Sequence, residues 1–197
     1  MLPVAAPSER MTEAMRSLEA AFLIGVEGVT EIWLVRHADC YQDMSDGADP
    51  PLSALGRTQA ERLARRVREP KPAAVYSSPY RRALETARAI SDDVHVDDRL
   101  IEMEMTLGDG GEFEFRELPA NVIDRMSGAI SDIAQSNPGK RVIVVSHGAA
   151  MIMYLTHVLR LEPGQLRFFP YYTSVSMVRV LGDRQMLGTL GDVAHLE

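Results

Sequence analysis

Two short apolar runs, IWLV at 32–35 and VIVV at 142–145, each lead into a histidine, through Arg36 to His37 in the first case and through Ser146 to His147 in the second. A continuous apolar run without polar alternation is buried on both faces, the environment of a strand in a parallel sheet covered by helices. Ligands of such sheets bind beyond the carboxyl ends of the strands, so both imidazoles are expected at one edge. A third run, AAVYS at 73–77, points to the same edge. There Ser78 and Pro79 read as N-cap and first residue of a helix, to about Ile90, whose opening turn carries Arg81 and Arg82.

The segments between these runs read as helices and loops. Met11, Met15, Leu18 and Phe22 recur at helical spacing over 8–24, where Ser8 can cap an amphipathic helix that packs on the domain or on another subunit. Residues 41–51 form a polar loop, and Ser53 caps a helix with Leu55, Leu63 and Val67 among its apolar positions, stopped at Glu69-Pro70. VHV at 94–96 is a short strand, 108–114 a glycine-rich and acidic loop, and a helix spans about 117–135. A helix over about 149–159 and a strand pair near 175–180 and 185–189 complete the chain. The expected fold is α/β, three layers with a mostly parallel central sheet, over 29–197, with 1–28 as a helical extension.

A net charge of -7 is wrong for a surface that binds nucleic acid or membrane, since both attract basic faces. An anionic small substrate would then need a local positive pocket. Cys40 is the only cysteine, which rules out an internal disulfide and a cysteine-built zinc site. No metal-ligand spacing appears, no cofactor is implied, and neither a leader peptide nor a membrane span is read, so a cytoplasmic location is expected. The first helix and the sheet edges are two surfaces through which a homodimer could form.

Histidine and arginine gathered on an acidic protein suit phosphoryl transfer through a phosphohistidine. Charge on the peripheral oxygens calls for planar guanidinium groups, and a neutral imidazole can attack with one nitrogen while the other is held by a hydrogen bond. A carboxylic acid must then protonate the leaving oxygen. His95, His157 and His195 lack such company; His157 is read as a helix-surface or packing residue and the other two as solvated. Arg81 is expected to pair with Glu85 four residues on. Cys40 reads as a small filler, and Met103, Met105, Met151 and Met153 as core filling.

The segments LVRHADC, PLSALGRTQA at 51–60, SSPYRRALETA at 77–87, DRLIEM at 98–103 and VVSHGAA at 144–150 resemble, in order, the histidine phosphatase superfamily. Ala38 stands where the Arg-His-Gly signature of that superfamily has glycine. The resemblance implies His37 as phosphate acceptor, with Arg36, Arg82 and His147 binding phosphoryl oxygens. Arg82 is preferred to Arg81 because the family arginine precedes the Ala-x-x-Thr-Ala pattern, here Ala83 to Ala87. Glu102 matches the proton donor, with Glu104 as its substitute.

Mutases of this superfamily carry serine and asparagine where this chain has Cys40 and Asp43, and Asn-Ser where it has Ala149 and Ala150. They also have a long insertion where only residues 103–146 intervene here. The resemblance therefore implies a compact phosphomonoesterase with a minimal cap, acting on a small phosphorylated substrate. The alternatives are a cofactor-dependent phosphoglycerate mutase, a protein phosphohistidine phosphatase, whose compact relatives commonly lack the acid, and a phosphate-binding module without turnover.

Overall fold

A computed structural model of the 197-residue chain describes residues 7–40, 49–108 and 110–197. Its elements, in order, are α1 (Pro7–Ala21), β1 (Thr30–Arg36), α2 (Ala54–Val67), β2 (Ala74–Ser77), α3 (Arg81–Ile90), β3 (His95–Val96), β4 (Met105–Leu107), β5 (Phe113–Phe115), α4 (Pro119–Ser136), β6 (Arg141–Ser146), α5 (Gly148–Val158), β7 (Val175–Leu181) and β8 (Arg184–Asp192). Six strands form one sheet in the order β3-β2-β6-β1-β7-β8. The first four run parallel, while β7 and β8 join antiparallel. The sheet is thus mostly parallel, as the apolar runs require.

Side-chain alternation along each strand divides the core into two layers. Ile32 and Leu34 of β1, Val142 and Val144 of β6 and Val178 and Val180 of β7 pack with Met126 and Ile130 of α4 and Tyr154 and Leu155 of α5. Val35, Ile143, Val145 and Val75 face the other way and meet Leu63 and Val67 of α2 and Ala83 and Ala87 of α3. Met103 and Met151 are buried in the first layer, with Met105 and Met153 packed against it, as core filling predicts.

Some expectations need correction. Ser78 is not the cap of α3: Tyr80 holds that place without a side-chain bond. The loop expected at 108–114 is not a plain one, because β4 and β5 pair across it as a small antiparallel hairpin, Met105 opposite Phe115 and Leu107 opposite Phe113. Their alternation was masked by glycines and acids between the strands. Leu55 is half exposed, since α2 turns Gly56, Gln59, Ala60, Leu63 and Val67 inward.

The first helix forms, but Met11, Met15, Leu18 and Phe22 stay between 48% and 66% exposed, so its apolar stripe does not pack on the domain. Instead the chain is moored just after it, where Leu23 is buried and Arg184 donates to the carbonyls of Ala20 and Ala21. The side chain of Ser8 and the loop position Asp43 lie outside the described residues.

Ser53 accepts from the N–H of Gly56 and so caps α2 as expected. The same turn is pressed against the chain leaving β1: a Cβ on Gly56 would stand 1.9 Å from the carbonyl oxygen of Asp39. Gly56→Ala should therefore destabilise the fold by about 1–3 kcal/mol despite the better helix propensity of alanine. Urea unfolding of the variant checks this, and a neutral or stabilising result would refute it.

Candidate active site

The parallel register that pairs Arg36 with Ser146 sets the two histidines side by side, the next residue on each strand. The backbone N–H of His37 donates to the Ser146 carbonyl at 3.0 Å, and the two rings lie 5.1 Å apart between centroids. Both are buried, as are Arg36 and Arg82, each less than a tenth exposed.

His37 has its two nitrogens in distinct surroundings. Nδ1 lies 2.8 Å from the Ala38 carbonyl, so it carries the proton. Nε2 is then the acceptor, 3.3 Å from Nε of Arg82, which donates to it. Burial, reinforced by Arg82 and Arg36, lowers the His37 pKa to about 3, so the ring is neutral at physiological pH. Ala38, in the glycine position of the signature, is buried, and its N–H donates to Thr86 in the first turns of α3.

His147 lies next to the Ser78 hydroxyl, 2.8 Å from its Nε2, and burial holds its pKa well below the ordinary value. The hydroxyl that sequence reasoning assigned to a helix cap is thus drawn into this site, where it also accepts from the N–H of Tyr80. Two buried nitrogens here, Nε of Arg36 and Nδ1 of His147, have no hydrogen-bond partner among the described residues.

Arg36 is held by the segment that precedes β7. Its Nη1 donates to the Pro170 carbonyl, its guanidinium lies 4.0 Å from the Tyr172 ring centroid and 4.8 Å from that of Phe169, and its carbonyl accepts from Thr173. Tyr80 stands against both Arg82 and His147. These rings form an aromatic wall that no spacing in the sequence announced; the only signal was the aromatic density of FFPYY at 168–172.

Asp49 is a second residue that sequence reasoning missed. It accepts from Nη1 of Arg82 at 3.1 Å and from the backbone N–H of Arg81 at 2.8 Å. Arg81 itself pairs with Glu85 on the exposed face of α3, as its spacing predicts. Burial raises the Cys40 thiol to about 11, which keeps it protonated and fits a filler role.

Glu102 reaches the same edge from a different direction. Its Oε1 accepts from the N–H groups of Met103 and Ala150 and its Oε2 from that of Ala149, so the carboxylate sits on the N-terminal turn of α5, directly after His147. The side chain of Glu104 is exposed, and its backbone N–H bonds to Glu117. His95 and His157 are exposed, whereas His195 is half-buried between Arg66 and Thr173 rather than solvated. Its position late in the chain hid the packing of the C-terminal turn on α2.

The model of the histidine phosphatase superfamily, branch 1, matches residues 32–117 and 107–193. The chain belongs to that superfamily. A metal-independent phosphoserine phosphatase of Arabidopsis thaliana is 29% identical over 85% of this chain and 84% of its own length. A probable phosphoglycerate mutase of Yersinia enterocolitica is 27% identical over 85% of this chain and 95% of its own. The solved structure of YhfR from Bacillus stearothermophilus superimposes with a TM-score of 0.73 at 25% identity, over 85% of this chain and all of that one.

Membership makes this chain a hydrolase or phosphotransferase of the superfamily. Among the described residues no group of His, Cys, Asp and Glu is arranged to hold a metal ion, and no helix is long and apolar enough to cross a membrane.

The buried histidines also govern acid stability. Unfolded, each titrates near 6.5, whereas in the fold the pKa of His37 is about 3 and that of His147 is lowered in the same direction. Below pH 6.5 the unfolded chain therefore binds protons that the folded chain refuses, and stability falls as pH falls toward 3. Between pH 7 and 5 His37 alone should cost about 2 kcal/mol. The carboxylates with lowered pKa, Asp97, Glu117 and Asp192, act mainly below that window. Urea unfolding at pH 7 and 5 should show the loss and His37→Asn should reduce it; a pH-independent wild type would contradict the burial argument.

Proposed function

We propose that the protein hydrolyses phosphomonoesters through a phosphohistidine on His37. The observation that carries this reading is the fixed tautomer: Nδ1–H is held by the Ala38 carbonyl, leaving the Nε2 lone pair beside Arg82. Arg36, Arg82 and His147 grip the phosphoryl oxygens, a role that supplies partners to the buried Nε of Arg36 and Nδ1 of His147.

In the first step Nε2 forms a bond to phosphorus while the bond to the ester oxygen breaks, and Glu102 gives that oxygen a proton. A carboxylate has about four lone-pair sites, and three on Glu102 accept backbone N–H groups. The remaining one is on Oε2, which is where the transferable proton belongs. In the second step water attacks phosphorus, the P–N bond breaks, and the Glu102 carboxylate takes the proton of the water. Phosphate leaves and His37 is again neutral with a free Nε2.

Hydrolysis is favoured over mutase action by the scarcity of material for a lid. Between Glu102 and β6 the chain is occupied by the small β4–β5 hairpin and by α4, which packs in the core. A mutase must shield its phosphoenzyme from water until the phosphoryl group returns to substrate. Ala149 and Ala150, where mutases carry Asn-Ser, likewise lack the polar side chains that a mutase would use.

His37→Ala should lower turnover of p-nitrophenyl phosphate at least about 1,000-fold; equal rates for variant and wild type would end the catalytic reading in favour of a phosphate-binding module. Supplied with 3-phosphoglycerate, with or without its bisphosphate, the enzyme should release free phosphate. Accumulation of 2-phosphoglycerate would make it a mutase.

Glu102→Gln should cost about 100-fold or more with an alkyl phosphate, whose leaving oxygen needs a proton, and only a few-fold with p-nitrophenyl phosphate. Equal losses on both substrates would reassign the acid.

A further inference from the structure

Arg125, on the inner side of α4, has no counterpart among the residues that the motifs single out, yet all five of its donors are engaged. Nη1 donates to the carbonyls of Arg99 and Ile101, both at 2.8 Å. Nη2 donates to the Glu102 carbonyl at 3.2 Å and to Glu117 at 2.9 Å, and Nε donates to the other oxygen of Glu117 at 2.8 Å. The pair is well shielded, each side chain 16% exposed. Glu117 then reaches back to accept from the backbone N–H of Glu104. Residues 99–104 are thereby fastened by their main chain on both sides of Glu102.

The geometry points to Arg125, with Glu117 as its brace, as the positioning residue for the proton donor. This inference rests on the reading of Glu102 as the acid. The Glu102 side chain is fixed at its far end by α5, through Ala149 and Ala150, and the backbone at its near end is fixed by Arg125. With three lone-pair sites occupied, the position of Oε2 is set by these two anchors together. Loosening the backbone anchor displaces the proton from the leaving oxygen while breaking no hydrogen bond of His37, Arg36, Arg82 or His147, because none of these bonds to Arg125 or Glu117; the Arg125 charge, which helps to keep His147 neutral, is retained in Arg125→Lys.

A planar fork is needed for this task, since five acceptors lie in two directions and a single ammonium nitrogen offers three donors. Lysine would keep the charge and lose the clamp. The defect should then match that of Glu102→Gln in kind: selective for substrates with poor leaving groups.

The test compares Arg125→Lys and Glu117→Gln with Glu102→Gln on an alkyl phosphate and on p-nitrophenyl phosphate, with thermal melts to follow folding. Arg125→Lys should lower kcat for the alkyl ester about 10-fold to 100-fold and change the aryl ester less than about threefold. Combined with Glu102→Gln it should cause no further loss on the alkyl ester. Equal loss on both esters, or a full additional loss in the double variant, would make Arg125 a structural residue and overturn the inference. Should Arg125→Lys not fold, Glu117→Gln decides: it keeps the arginine, and its smaller loss must show the same selectivity. If Glu102→Gln itself is unselective, the acid assignment fails first; if only the clamp variants are unselective, the acid stands and the clamp falls.

Discussion

The in-register pairing of β1 with β6 is the constraint on which the site depends. Each strand ends at the same level, so the residue that follows each one is a histidine facing the same space. A shift of one residue would turn every inward side chain of β1 to the opposite layer and separate the two imidazoles. Register is held by burial on both faces: Ile32 and Leu34 are committed to α4 and α5, Trp33 and Val35 to α2 and α3. The stability of the core and the geometry of the proposed nucleophile thus have one cause.

Burial also determines the electrostatics. Desolvation favours the neutral form of both imidazoles, and the two guanidinium groups beside them reinforce it, since they would repel charged rings. The cations are themselves accommodated by aromatic faces, by the Pro170 carbonyl and by Asp49. The result is a positive pocket on a chain of net charge -7, in which a histidine lone pair is available well below neutral pH.

The segment of the proposed acid is built on a different principle. Strand ends place His37 and His147, whereas Glu102 follows a short 3-10 turn with no strand to fix it. Its place comes from the burial of Leu100 and Met103 on either side of it, together with the hydrogen bonds of its carboxylate to α5 and those of Arg125 to its backbone. The proposed phosphate pocket is thus set by strand ends, and the proposed acid by the segment that joins the 3-10 turn to α4 and by the first turn of α5.

The sequence by itself determined the parallel strands, the two histidines at their ends and the pair Arg81 and Arg82 at the start of α3, between which the family pattern chose Arg82, because apolar runs and fixed offsets are local signals that burial enforces. The family motifs added Glu102. Ser78, Asp49, the aromatic wall, the β4–β5 hairpin and the Arg125–Glu117 clamp were decided by tertiary structure. Their contacts join residues distant along the chain, such as Arg36 with Pro170 and Ser78 with His147, and no periodicity records such pairs. The exposed stripe of α1 makes the same point in reverse: spacing announces an amphipathic helix, but whether its apolar face finds a partner depends on where the chain carries it.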